Sequence, residues 1–177
     1  MQDWIIDSRR RITILLILTT FILAACAAAQ TRGYVDATAW STNYTEDYIR
    51  QFHILTDMGD DTGLEGIQVS EFSKGGKGGH ECCSLIPGVG KKIRVVWTVA
   101  NTDDETQWKT FSRDVVVTGI MPKYPQQEPH SVLIVRFFPD HEVEAELLPG
   151  DGIFGSKNPR IDKLFFVGPR VMRHKGE

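Results

Sequence analysis

The clearest alternation of apolar and polar positions is Ile93-Arg94-Val95-Val96-Trp97-Thr98-Val99. Ile93, Val95, Trp97 and Val99 recur every second residue. They therefore share one face of a strand, with Arg94 and Thr98 on the other. Trp108 to Val117 follows a polar turn at residues 101–105 and reads as the antiparallel partner in a hairpin. Tyr34 to Ser41 mixes β-formers with small residues and reads as a first strand. Tyr48 to Thr56 sets Tyr48, Arg50 and Phe52 against Ile49, Gln51 and His53, which fits a strand. Ile67 to Phe72 is a short strand. Val132 to Phe138 is apolar throughout, as a strand buried on both faces would be. Val143 to Leu148 is the next strand, with Glu142, Glu144 and Glu146 on one face. Leu164 to Val167 adds an edge strand.

The connections carry turn chemistry. Asn43 to Asp47 is a turn by composition, and Asp57 to Gly66 is a Gly/Asp loop. Ser73 to Gly79 has few side chains to bury and reads as a flexible loop. Pro122, Pro125 and Pro129 punctuate a long loop, and Pro139 to Glu142 turns the chain again. No helical period separates the strands. About seven or eight such strands predict an antiparallel β-sandwich, with a partly closed barrel as the alternative.

The N-terminus follows a different pattern. Arg9, Arg10 and Arg11 precede Ile12 to Ala25, an uncharged run of 14 residues. As a helix it would be roughly 21 Å long, short against a hydrocarbon core of about 30 Å. It ends in Leu23-Ala24-Ala25-Cys26, the pattern of a bacterial lipobox. Residues 1–25 are therefore expected to be a signal peptide, with Cys26 the lipid-bearing residue. Extending the run to Gln30 gives 19 uncharged residues, counting Cys26, and an uncleaved anchor is the competing reading. Both keep the arginines inside and the rest outside the inner membrane. Ala27, rather than Asp, follows the Cys, so no inner-membrane retention signal is evident. The expected location is the outer membrane, lipid-anchored and facing the periplasm. Residues 26–33 would be the lipidated tether, 34–170 one β-sandwich domain and 171–177 a flexible tail.

Charge narrows the partners. Without residues 1–25 the chain keeps 17 basic and 21 acidic side chains, a formal −4. Nucleic-acid binding, which needs clustered Lys and Arg, is disfavoured. There is also no polybasic patch for anionic lipid. The expected partners are a protein and, through the anchor, the membrane, with no nucleic acid.

Catalytic motifs are sparse. No Gly-x-Ser-x-Gly elbow occurs. His141-Glu142 lacks the second His of a zinc-protease helix, and Gly88-Val89-Gly90-Lys91 fails the spacing of a phosphate loop. Glu142, Glu144 and Glu146 read as a solvated strand face rather than an acid–base set. The other histidines, His53 and His130 among them, are scattered and read as surface or core groups. His80, Cys82 and Cys83 invite a metal, but neighbours in a strand point to opposite faces, which suits a tetrahedral ion poorly. No metal and no cofactor is expected. Cys82 and Cys83 leave two states open, a vicinal disulfide and a pair of packed free thiols. Adjacent Cα atoms near 3.8 Å are close for an ordinary bridge, whereas an exported chain meets an oxidising compartment.

Four stretches then align in order with one family. They are Asn43-Tyr44-Thr45-Glu46-Asp47-Tyr48-Ile49, Gly78-Gly79-His80-Glu81-Cys82-Cys83-Ser84-Leu85-Ile86-Pro87, Ile93-Arg94-Val95-Val96-Trp97-Thr98 and Phe137-Phe138-Pro139-Asp140-His141-Glu142-Val143. Over roughly residues 43–148 the chain resembles small proteobacterial lipoproteins grouped as domain of unknown function 3304. The Gly-rich loop leading into Cys-Cys is the most specific mark. The chain departs from the family in Ser84-Leu85-Ile86-Pro87, where Val-Ser-Leu-Pro is expected, and in its extension past Leu148. The resemblance implies an immunity lipoprotein that protects a cell from type VI secretion phospholipase effectors. It would act by binding, without catalysis. The loop Lys74-Gly75-Gly76-Lys77-Gly78-Gly79-His80 is the expected contact with the effector. An assembly or structural accessory of the cell envelope is the alternative.

Overall fold

A computed structural model describes residues 33–80, 82–101, 104–126, 130–150 and 171–176. The signal sequence with Leu23, Ala24, Ala25 and Cys26, the tether up to residue 32, and the edge strand expected at 164–167 lie outside the described residues. Among the described residues ten strands follow in chain order: β1 (Tyr34–Asn43), β2 (Ile49–Thr56), β3 (Asp61–Val69), β4 (Gly79–His80), β5 (Ser84–Pro87), β6 (Lys92–Asn101), β7 (Asp104–Val116), β8 (Thr118–Gly119), β9 (Ser131–Phe138) and β10 (Glu142–Leu148). Two single 3-10 turns, Phe72–Lys74 and Pro139–His141, interrupt them. Among the described residues no helix is long and apolar enough to cross a membrane.

The strands form two sheets, ordered β5-β1-β9-β10-β8 and β4-β3-β2-β6-β7. Period-two patterning gives each sheet an apolar face, and the two faces close on one core. Val35, Ala37, Leu133, Val135, Phe137 and Val143 from the first sheet meet Phe52, Ile54, Ile93, Val95 and Trp97 from the second. Phe137 is the hinge of this contact, its ring centroid 5.5 Å from Phe52 and 5.6 Å from Trp97. Each large apolar side chain so buried contributes about 1.5–3 kcal/mol. The all-β sandwich expected from periodicity is the observed fold. The uninterrupted apolar run of β9 is also explained. Its alternate residues Val132 and Ile134 enter a second cluster with Leu148 and Trp40.

Strand direction and some boundaries differ from expectation. β1 and β9 run parallel, Ala37 to Asn43 pairing with Ser131 to Phe137, and β10 runs parallel to β8. Alternation tells which face a residue takes but not which way its neighbour runs, so the parallel pairs were hidden. The Gly/Asp loop expected at 57–66 is mostly strand, because β3 begins at Asp61. The hairpin closes between Thr56 and Asp60, whose backbone N–H donates to Thr56 Oγ1 at 3.1 Å. Gly63 and Gly66 weaken the strand signal, yet pairing of Phe52, His53 and Ile54 with Gly66, Glu65 and Leu64 overrides it. β5 is too short to show a period, and β7 starts earlier than Trp108.

Candidate functional site

Asn43, at the end of β1, organises the loop that the sequence singles out. Its Nδ2 donates to Asp47 O at 2.7 Å and Ser70 O at 3.1 Å. Its Oδ1 accepts the Thr45 backbone N–H at 3.0 Å and the Thr45 hydroxyl at 2.8 Å. The side chain is buried with both its donor and acceptor atoms occupied. Asn43-Tyr44-Thr45 is therefore a structural turn.

The Gly-rich stretch packs directly on this turn. Asn43 N–H donates to Gly76 O, Ser70 N–H to Lys77 O, and Gly76 N–H to Glu71 O. Thr42 and Lys77 form a further bridge. Ser73 to Gly79, read from the sequence as a flexible loop, is thus tied along its backbone, as is the Lys74 to His80 stretch expected to meet the effector. Its glycines serve close approach instead. At Gly76, with φ +62°, an added Cβ would lie 2.7 Å from Asn43 O; at Gly78 it would lie 2.6 Å from Ser41 Oγ. The exposed tip is Ser73 and Lys74. Lys74 Nζ sits 2.7 Å from Glu71 Oε1, which holds the Glu71 carboxyl below, and the Lys74 amine above, their ordinary values. Gly79 and His80 pair with Ile67 and Gly66 as β4.

Cys82 and Cys83 follow β4 and stand just before β5. They are joined by a disulfide and a cis peptide bond. They lie outside any strand, so opposed strand faces do not apply to them. Their sulfurs and a ring nitrogen of His130 all fall within 4.8 Å of one another. His130 stands just before β9, and its Nδ1 lies 3.2 Å from Asp36 Oδ2 on β1. Because β1 lies between β5 and β9, the sheet itself gathers these residues. The loop beyond β8 braces the corner, Asp36 N–H donating to Pro125 O at 2.7 Å. Sequence reasoning missed Asp36 and the pairing of His130 with the cysteines. No local spacing signals it, since β1 and β9 meet only in the folded sheet.

The carboxylate row of β10 is partnered rather than merely solvated. Glu142 pairs with Lys175, which holds its carboxyl below the ordinary value. Glu144 Oε1 accepts the Gly176 N–H at 2.6 Å. Glu146 Oε2 lies 2.6 Å from Nη2 of the buried Arg136. An open groove of about 440 Å³ runs beside this row, lined by Asp114, Val115, Thr118, Glu144 and Lys175 among others. It contains none of the loop or cysteine residues. Large apolar side chains also stay exposed, Val116 of the groove lining among them. Val116 is 52% exposed, Ile120 61% and Tyr124 57%, all on the stretch from the end of β7 into the connection to β9.

These features define a two-sheet β-sandwich with a pinned Gly-rich loop and a cysteine–histidine corner. The chain belongs to the family described as protein of unknown function (DUF3304), which matches residues 42–145. That span starts at the Asn43 turn, crosses the loop and cysteines, and ends within β10. No curated protein and no solved structure matches the chain.

Proposed function

We propose that the chain is a binding protein of the cell envelope, anchored through lipid on Cys26, that neutralises a toxic phospholipase effector of type VI secretion. The observation that carries a binding role is the exposed apolar set Val116, Ile120 and Tyr124. Large apolar side chains of this kind, kept in water beside the sandwich, suit the centre of a protein–protein contact. The choice of partner rests on the family resemblance, and the anchor on Leu23-Ala24-Ala25-Cys26. Lys74 would add a charged contact from the pinned loop. A rigid knob loses less conformational freedom on binding than a mobile loop does.

The test is deletion of the gene in cells that meet the cognate phospholipase, paired with binding of the purified chain to that enzyme. Self-intoxication and a stoichiometric inhibited complex are expected. Unchanged survival together with no binding overturns the reading and points to an envelope accessory role. Metabolic palmitate labelling should mark the protein and be lost in Cys26→Ala; an unlabelled wild-type chain overturns the anchor.

A further inference from the structure

We propose that Cys82, Cys83 and His130 form, once their disulfide is reduced, a binding site for a thiophilic d10 metal ion of the Zn2+ type. The argument starts from position. Two sulfurs and an imidazole nitrogen already lie within 4.8 Å of one another. Tetrahedral zinc–thiolate and zinc–imidazole bonds place such atoms about 3.6–3.8 Å apart. Once reduced, the two sulfurs must part from bonding distance while the imidazole nitrogen draws in, side-chain movements on the order of an ångström or two rather than refolding. The ligand set is soft sulfur with imidazole, which selects Zn2+ and its d10 relatives over Ca2+ or Mg2+.

A second, independent observation points the same way. Asp36 Oδ2 stands 3.2 Å from His130 Nδ1. A carboxylate on one ring nitrogen fixes the orientation of an imidazole, the arrangement that supports ligating histidines. Asp36 is held in turn by the sheet. Its N–H is bonded to Pro125 O, and its residue pairs with Leu85 on β5. The scaffold that would orient the ligands is therefore three adjacent strands, β5, β1 and β9. Cys82 is exposed, and Cys83 and His130 are partly so. The site is open enough for an ion to enter and for water to complete its coordination.

The redox step balances simply. A dithiol reductant delivers two electrons and two protons to the Cys82–Cys83 bond and leaves as its own disulfide. Zn2+ then displaces both thiol protons, so two protons are released per ion bound. The oxidised pair offers no thiolate, so occupancy follows the redox state of the cysteines. This inference does not depend on the phospholipase reading.

The experiment uses the full chain with Cys26→Ser, so that Cys82 and Cys83 are its only thiols. It is reduced, freed of reductant without air, and titrated with Zn2+ against a chromophoric chelator. One ion per chain is expected, with two protons released and no comparable binding by the oxidised protein. His130→Ala should weaken binding at least tenfold, and Asp36→Asn by about 10–100-fold. Cys82→Ser with Cys83→Ser should abolish it. Co2+ in place of Zn2+ should give thiolate charge-transfer absorption in the reduced wild type that shifts in His130→Ala. The proposal is overturned if the reduced chain binds no tighter than the double serine variant. It is equally overturned if His130→Ala binds as wild type with an unchanged cobalt spectrum, or if the oxidised chain binds equally well. Thermal unfolding of each variant reports whether the sandwich is intact. Should His130→Ala unfold, the cobalt spectrum of His130→Gln decides in its place.

Discussion

Arg136 on β9 and Glu146 on β10 form an ion pair at 2.6 Å, with the arginine 1% exposed and the glutamate 15% exposed. They sit on the face of the first sheet turned away from the main core, where Val132 and Ile134 are also buried. Removing one partner of such a pair leaves the other charge buried without compensation. Glu146→Ala should therefore lower stability by about 3–5 kcal/mol. Replacing the charge itself with an apolar chain of similar length removes both the attraction and the desolvation cost. Arg136→Met with Glu146→Leu should fall close to wild type or above it. Denaturant unfolding of the variants tests the asymmetry; equal losses in the single and double variants would refute it.

A second prediction concerns the turn at the end of β1. Four hydrogen bonds converge on Asn43, and the backbone N–H of the same residue holds Gly76 O. Asn43→Ala leaves part-buried backbone groups of Thr45, Asp47 and Ser70 without this partner, each costing up to about 1–3 kcal/mol. A loss of about 2–4 kcal/mol is expected, shared between folding and the order of the loop. Gly76→Ala should cost about 1–3 kcal/mol, since its new methyl meets Asn43 O in a backbone region that L residues avoid. The paired check is amide exchange at Ser70 and Gly76, which should speed up in both variants. Unaltered exchange would mean the turn and the loop are not coupled.

A third prediction follows from the contact between residues 171–176 and β10. The hydrogen bond from Lys175 lowers the Glu142 carboxyl from its ordinary value. A carboxyl with a lower folded value contributes fully above its unfolded value of about 4.3. The contribution is lost as pH falls through the folded value, because protonation removes the acceptor charge. Residues 171–176 should stay docked at neutral pH and detach in acid, and Glu142→Gln should weaken docking at neutral pH and flatten its pH dependence. The Gly176 amide, which donates to Glu144 Oε1 on the same strand and so follows the docking of this segment, is monitored by its resonance from about pH 6 to about pH 3. A resonance that holds its position across that range would exclude the contact.

Individual residues show what was legible in the chain. Ile93, Val95, Trp97 and Val99 announced their shared face, and all four are buried in the core. The continuous run in β9 announced burial on both faces. Neither pattern encodes a partner's direction, so the parallel pairing of β1 with β9 emerged only in the sheet. That pairing is what brings His130 to Asp36 and the cysteines, so the corner was illegible for the same reason. The glycines misled in another way. A residue without a side chain looks flexible in one dimension, whereas at Gly76 and Gly78 its smallness lets one backbone press against another. Asn43 was readable as a turn residue, but its hold on Ser70 depends on a strand far along the chain.

The last prediction bears on the proposed partner contact. Ile120 and Tyr124 are more than half exposed, so truncating them removes little buried area. Ile120→Ser with Tyr124→Ser should leave unfolding within about 0.5 kcal/mol of wild type. If these side chains fill pockets on the phospholipase, the same variant should bind at least tenfold more weakly, about 1.4 kcal/mol. Large aromatic and aliphatic anchors at the centre of an interface dominate its energy, whereas rim contacts contribute little. Lys74→Ala serves as the contrasting change. Its amine is engaged by Glu71, so its loss should move affinity less than that of Tyr124. Isothermal titration against the inactivated enzyme separates the two. Unchanged affinity in the double variant, with a large loss in Lys74→Ala, would move the contact from the segment after β7 to the pinned loop.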